Sequence, residues 1–120
     1  VILSGGSQAF AMDAGDAAAG LKVFKKCKTC HVVDEEKNKV GPHLFGIVDR
    51  KIASVDGYKY SKGMKKYGEE NEAWTMELLT SYLESPRKTV KGTKMAFAGL
   101  RKEEDRVNVV AYLKDPTAAE

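Results

Sequence analysis

Two thiols separated by two residues, with an imidazole directly after the second, stand at Cys27, Cys30 and His31 in the run Cys27-Lys28-Thr29-Cys30-His31. These are the only 2 cysteines among 120 residues. A disulfide across so short a loop restrains little of the unfolded chain, because loop-closure stabilisation grows with the number of residues enclosed. The pair is chemical rather than structural. C-x-x-C-H is the pattern of covalent haem attachment. Thiols three residues apart at a helix end reach the two vinyl groups on one edge of a porphyrin, and the adjacent histidine falls under the iron. Two other chemistries stay open behind it. A thioredoxin-like dithiol wants a βαβ setting, which this chain lacks. A zinc site wants four ligands, and after these three only His43 remains as a conventional partner.

A single domain of this length buries only roughly 60 to 70 per cent of its unfolded surface, so a large buried prosthetic group would add much to its core. Apolar residues at 42% and charged residues at 31% fit a globular chain and exclude wholesale disorder. Asp16 is placed to cap a helix carrying Ala17, Gly20, Leu21 and Phe24 at helical spacing, which delivers Cys27 to its end. Residues 34–60 lack sustained periodicity and read as ordered loop. A short helix over 61–67 is expected to close at Gly68 as a left-handed cap. Thr75 caps a third helix with Leu79, Tyr82 and Leu83 on one face, ended by Pro86. After a second aperiodic stretch over 87–101, a last helix opens on Glu103, Glu104 and Asp105, where acids favour the positive end of the dipole. Its apolar face is Val109, Tyr112 and Leu113, with Val110 beside it. No strand, hairpin or repeat is legible, so the class is all-α with long loops, which need something to pack against.

The organisation expected is a domain over 16–114 between two tails, 1–15 and 115–120. Val1-Ile2-Leu3 followed by Ala9-Phe10-Ala11 resembles the end of a secretory signal with an A-x-A cleavage site. A flexible tail and the stub of an uncleaved membrane anchor are the alternatives. No stretch approaches the ~18 consecutive apolar residues of a membrane-spanning helix.

An iron held by one histidine is open to gases or peroxide unless a second axial ligand closes it. Met12, Met64, Met76, Met95 and His43 compete for that position. Met12 lies in the tail, Met76 opens a helix where packing is the usual task of methionine, and Met64 lies in a lysine-rich turn. His43 follows His31 too closely to cross to the opposite face. Met95 sits in the second aperiodic stretch beside Gly92, Thr93 and Phe97, far enough along the chain to wrap round, and leads the group.

Gly20 and Phe24, the C-x-x-C-H, Gly41-Pro42, Arg50, Tyr60, Trp74, Tyr82, Leu83, Pro86 and the loop Gly92-Thr93-Lys94-Met95-Ala96-Phe97 follow one another in this order. With them the chain resembles a class I cytochrome c of the mitochondrial and bacterial c2 type, over about residues 16 to 114. The resemblance implies a class I cytochrome c fold: three main helices, a short helix and long loops wrapped around one covalent haem c. It implies a soluble one-electron carrier, not an enzyme, with His31 and Met95 as axial ligands of the iron. Gly20 is then where the first and last helices cross. Pro42 is expected to set its carbonyl against the ring N–H of His31, fixing the tautomer. Tyr60 and Trp74 are implied as donors to a buried haem propionate, with Arg50 supplying compensating charge. Tyr82 and Thr93 are implied to hydrogen-bond around Met95, and Phe97 to shield the haem edge. Two positions depart from the pattern: Met64 stands where the family often has a polar residue, and Lys91 where it often has proline.

The net charge is +3, and it is segregated. Residues 87–102 hold six basic residues and no acid, whereas residues 69–84 hold five acids and no base. With Lys25, Lys26 and Lys28 beside the haem motif, Lys88 and Lys94 are expected to complete a positive ring for docking an acidic redox partner; a merely solvated surface is the alternative. The resemblance implies a bc1-type complex, an oxidase or a reaction centre in a respiratory or photosynthetic chain. Nucleic acid is not expected, because no motif with interleaved stacking aromatics accompanies the lysines. A monomer in the bacterial periplasm is expected, since this kind of haem attachment takes place after export; tethering on the periplasmic side is the alternative.

Overall fold

The computed structural model describes residues 15–119, so the signal-like segment at Ala9-Phe10-Ala11 and the rival ligand Met12 lie outside the described residues. Helix α1 spans Ala17–Phe24. Asp16 caps it as expected, its carboxylate accepting from the backbone N–H groups of Ala18 at 2.9 Å and Ala19 at 3.3 Å. Caps of this kind contribute about 1 kcal/mol. Helix α2 spans Lys62–Glu70 behind the Ser61 cap, and α3 spans Met76–Glu84 behind the Thr75 cap. Pro86, whose missing N–H is harmless in a first turn, opens the one-turn helix α4, Pro86–Thr89. Helix α5 spans Glu103–Lys114, and a 3-10 turn over Pro116–Ala119 follows it. Lys102 gives α5 no side-chain cap, so the three acids of its first turn carry that end.

Helices α1 and α5 form the main helix pair. Gly20 makes the crossing: a Cβ there would collide with the backbone carbonyl of Asn108, so only a hydrogen allows the approach. The start of α1 is tied on as well, the Asp16 N–H donating to the Asn108 side chain at 2.8 Å. Phe24 then packs on Tyr112 with ring centroids 5.2 Å apart. Val109, Val110, Tyr112 and Leu113 are all buried, as the apolar face of the last helix requires. Leu21 is the exception on α1: it is 37% exposed, because the crossing at Gly20 brings α5 to one side of that face.

Helix α2 runs through Gly68 to Glu70 instead of stopping there. Gly68 has no positive φ, and a Cβ there would come within 3.1 Å of the Ile52 carbonyl oxygen, so it serves close approach rather than chain reversal. Among the described residues no strand occurs, only an isolated bridge between Lys51 and Ala73. The loops are ordered by tethers to the helices. The Leu100 N–H donates to the Leu83 carbonyl at 2.8 Å, and Arg106 Nη1 donates to the carbonyls of Leu100 at 2.7 Å and Arg101 at 2.9 Å.

Candidate functional site

Beyond α1 the backbone keeps turning. The Cys27 and Lys28 N–H groups donate to the Phe24 carbonyl, and those of Cys30 and His31 to the Cys27 carbonyl. These turns carry Cys27, Cys30 and His31 to the wall of one cleft with about 280 Å3 of internal space. The chain then doubles back against the imidazole. Gly41 is bonded through its N–H to the Cys30 carbonyl at 2.8 Å, and a Cβ on Gly41 would strike the His31 ring. That approach puts the Pro42 carbonyl 2.8 Å from His31 Nδ1. A carbonyl only accepts, so Nδ1 carries the proton and Nε2 is left with its lone pair. Burial lowers the His31 pKa, partly offset by the Pro42 bond.

Met95 lies on the loop between α4 and α5. Tyr82 Oη donates to its sulfur at 3.5 Å, and Thr93 Oγ1 accepts from its backbone N–H at 3.2 Å. Burial pushes the Tyr82 phenol up to about 12, so it stays a donor at neutral pH. Arg50, Tyr60 and Trp74 lie on a third stretch of wall. Arg50 Nε is buried without a partner, a state that folded interiors rarely leave. Apolar side chains supply the rest, among them Leu79 and Leu83 of α3 and Val109 and Leu113 of α5.

Every residue proposed from sequence for the cofactor lines this cleft: Cys27, Cys30, His31, Pro42, Arg50, Tyr60, Trp74, Tyr82, Thr93, Met95 and Phe97. Of the rivals to Met95, Met64 also lines it. Met76 packs against the core elsewhere, and His43 faces a separate polar cavity. Lys25, Lys26, Lys28, Lys88 and Lys94 are all exposed. Lys26 and Lys94 reach the cleft itself, and Lys94 Nζ also donates to the Lys59 carbonyl at 2.8 Å. Sequence reading missed the wall residues Leu44, Ile47 and Leu100. They stand in aperiodic stretches, where no pattern marks a buried side.

The two competing chemistries fare poorly. Burial, reinforced by Cys30, raises the Cys27 pKa, whereas an attacking dithiol needs a thiol whose pKa is lowered. Among the described residues no group of three or more histidine, cysteine or acidic side chains is placed to hold a metal ion. An apolar slot lined by two thiols, a tautomer-fixed imidazole and a thioether suits a metalloporphyrin instead.

The protein-family model for cytochrome c matches residues 17–116. The chain belongs to the cytochrome c family. The cytochrome is 52% identical over 100 residues to the cytochrome c-type cyt cy of Rhodobacter capsulatus, covering 82% of this chain and 48% of that protein. It is 46% identical over 100 residues to cytochrome c2 of Agrobacterium tumefaciens, covering 82% of this chain and 90% of that one. Among solved structures, cytochrome cH from Methylobacterium extorquens superposes with a TM-score of 0.76 at 44% identity, covering 83% of this chain and 98% of that one. This cytochrome is therefore a class I, helical haem c protein and an electron carrier, with Cys27 and Cys30 in its attachment motif. No helix among the described residues is long and apolar enough to cross a membrane.

Proposed function

We propose that this cytochrome closes its iron with His31 and Met95 and shuttles single electrons between redox proteins of a respiratory or photosynthetic chain in the periplasm. The observation that carries the reading is one cleft lined by an imidazole fixed by Pro42 and by a thioether held by Tyr82. Haem, when bound, supplies a one-electron ferrous–ferric couple. The residues around it do the rest. Cys27 and Cys30 anchor one porphyrin edge, and Pro42 raises the basicity of His31 through Nδ1. Arg50, Tyr60 and Trp74 would compensate a propionate brought out of water. Thr93 and Tyr82 orient Met95, and Phe97 covers the edge. The carrier works as a monomer, the domain over 16–114 being its working unit; it transforms no substrate and binds no nucleic acid.

Lys25, Lys26, Lys28, Lys88 and Lys94 then steer the haem edge onto an acidic surface of the partner. Encounters of carriers are small and brief, typically under ~1,200 Å2, and complementary charge gives them speed without tight binding. With screening over about 8 Å at physiological ionic strength, added salt slows bimolecular electron transfer steeply. Stopped-flow rates with an acidic partner protein test this. Lys26→Glu and Lys28→Glu slow the reaction at low salt, and Lys114→Glu, near the far end of α5, slows it less. Rates that stay flat with salt, or equal effects from all three reversals, contradict steering.

A further inference from the structure

Arg50 lines two spaces at once: the cleft described above, and a polar cavity of about 290 Å3 whose wall includes Glu36, Asn38, His43 and Asp56. In that cavity Arg50 Nη1 lies 3.3 Å from His43 Nδ1 and 3.1 Å from the Phe45 carbonyl. A guanidinium only donates, so His43 Nδ1 accepts and the neutral ring carries its proton on Nε2. The His43 backbone is fixed in turn, its N–H donating to Asn38 Oδ1 at 3.0 Å.

We infer that His43 is a positioning residue for Arg50, and that its protonation couples proton uptake to reduction of the iron. The inference rests on the reading that haem occupies the cleft. Histidine is the side chain that changes charge between pH 5 and 8. An imidazolium has no lone pair to offer, so on protonation the Nδ1 contact is lost and two cations face each other. Glu36 and Asp56 line the same cavity and offer negative charge to both cations, while the Phe45 carbonyl retains the guanidinium. Tyr60, the other titratable group acting on Arg50 from the cleft side, has its pKa raised by burial and stays neutral in this range. Protonation of His43 therefore adds one positive charge beside the cleft. Ferrous haem carries one positive charge fewer than ferric haem, so the added charge favours reduction. The potential is higher with His43 protonated than with it neutral. By reciprocity, the reduced protein binds that proton more tightly.

The midpoint potential of the haem-loaded protein, measured from pH 5 to 8, tests the coupling. The wild type loses potential with rising pH. His43→Asn keeps an acceptor for Arg50 without a titrating ring, so its slope is lost and its potential stays near the high-pH wild-type value. A slope retained in His43→Asn, or none in the wild type, overturns the inference. NMR titration of the wild-type His43 ring gives a second readout that needs no variant: its midpoint lies at higher pH in the ferrous than in the ferric protein, and equal midpoints overturn the coupling. A protein with no haem couple overturns the reading of the cleft and the inference with it, whereas a normal couple with an unchanged slope overturns the inference alone.

Discussion

Met95→Ala lowers the reduction potential and opens the iron to carbon monoxide, whereas Met64→Ala does neither. A thioether is a soft ligand that favours the ferrous state, so Met/His ligation holds the potential high. Removing it shifts the potential by on the order of 0.1 V or more, within the ~0.8 V that axial ligands span. The two methionines share the cleft, but only the sulfur of Met95 is held, by Tyr82 Oη at 3.5 Å. Its backbone is fixed through Thr93, which leaves the loop little freedom to present another group. Potentiometry and ferrous spectra with and without carbon monoxide separate the variants. If Met64→Ala produces both changes and Met95→Ala neither, the ligand is Met64.

Gly20→Val is the second large effect, and it acts on stability. A Cβ on Gly20 meets the carbonyl of Asn108 and then the Cβ of Tyr112, and the α5 backbone that carries them cannot yield. Overpacking in a well-packed core costs about 1–3 kcal/mol where side chains can adjust, and more where they cannot. Gly20→Val is expected to lose at least ~3 kcal/mol, a large share of the roughly 5–15 kcal/mol that folds a domain. Ala18→Val, on the exposed side of the same helix, introduces the same β-branch and is expected to change stability by only about 0.5 kcal/mol. Guanidinium denaturation of the two variants measures the difference. Similar midpoints would place the α1–α5 crossing elsewhere.

What was legible in the sequence was what is local. Cys27, Cys30 and His31 lie within five residues, so their chemistry needs no tertiary knowledge. Asp16 and Thr75 act on N–H groups two or three residues ahead, and both caps form; Ser61, read as the first residue of its helix, turns out to be that helix's cap. The expectation that failed locally is Gly68, because glycine serves both chain reversal and close packing, and only the Ile52 carbonyl decides between them. The four-residue helix Pro86–Thr89 is too short to show a period. Leu21 reads as core, and only the position of α5 leaves it exposed. Ile47 and Leu100 line the cleft from aperiodic segments, where burial follows from tethers such as Leu100 to Leu83 and not from any repeat. In the sequence His43 shows only as a rival ligand; its contact with Arg50 depends on a loop that folds back over seven residues.

Everything proposed for the cleft rests on thioether bonds from Cys27 and Cys30 to the haem. Extraction of the purified holoprotein with acidified acetone, followed by intact mass measurement of the polypeptide, tests it most directly. Haem is expected to stay on the chain, the mass to equal polypeptide plus one haem, and peptide mapping to place it on Cys27 and Cys30. A colourless polypeptide of unmodified mass, with haem or zinc released into the solvent, would contradict it.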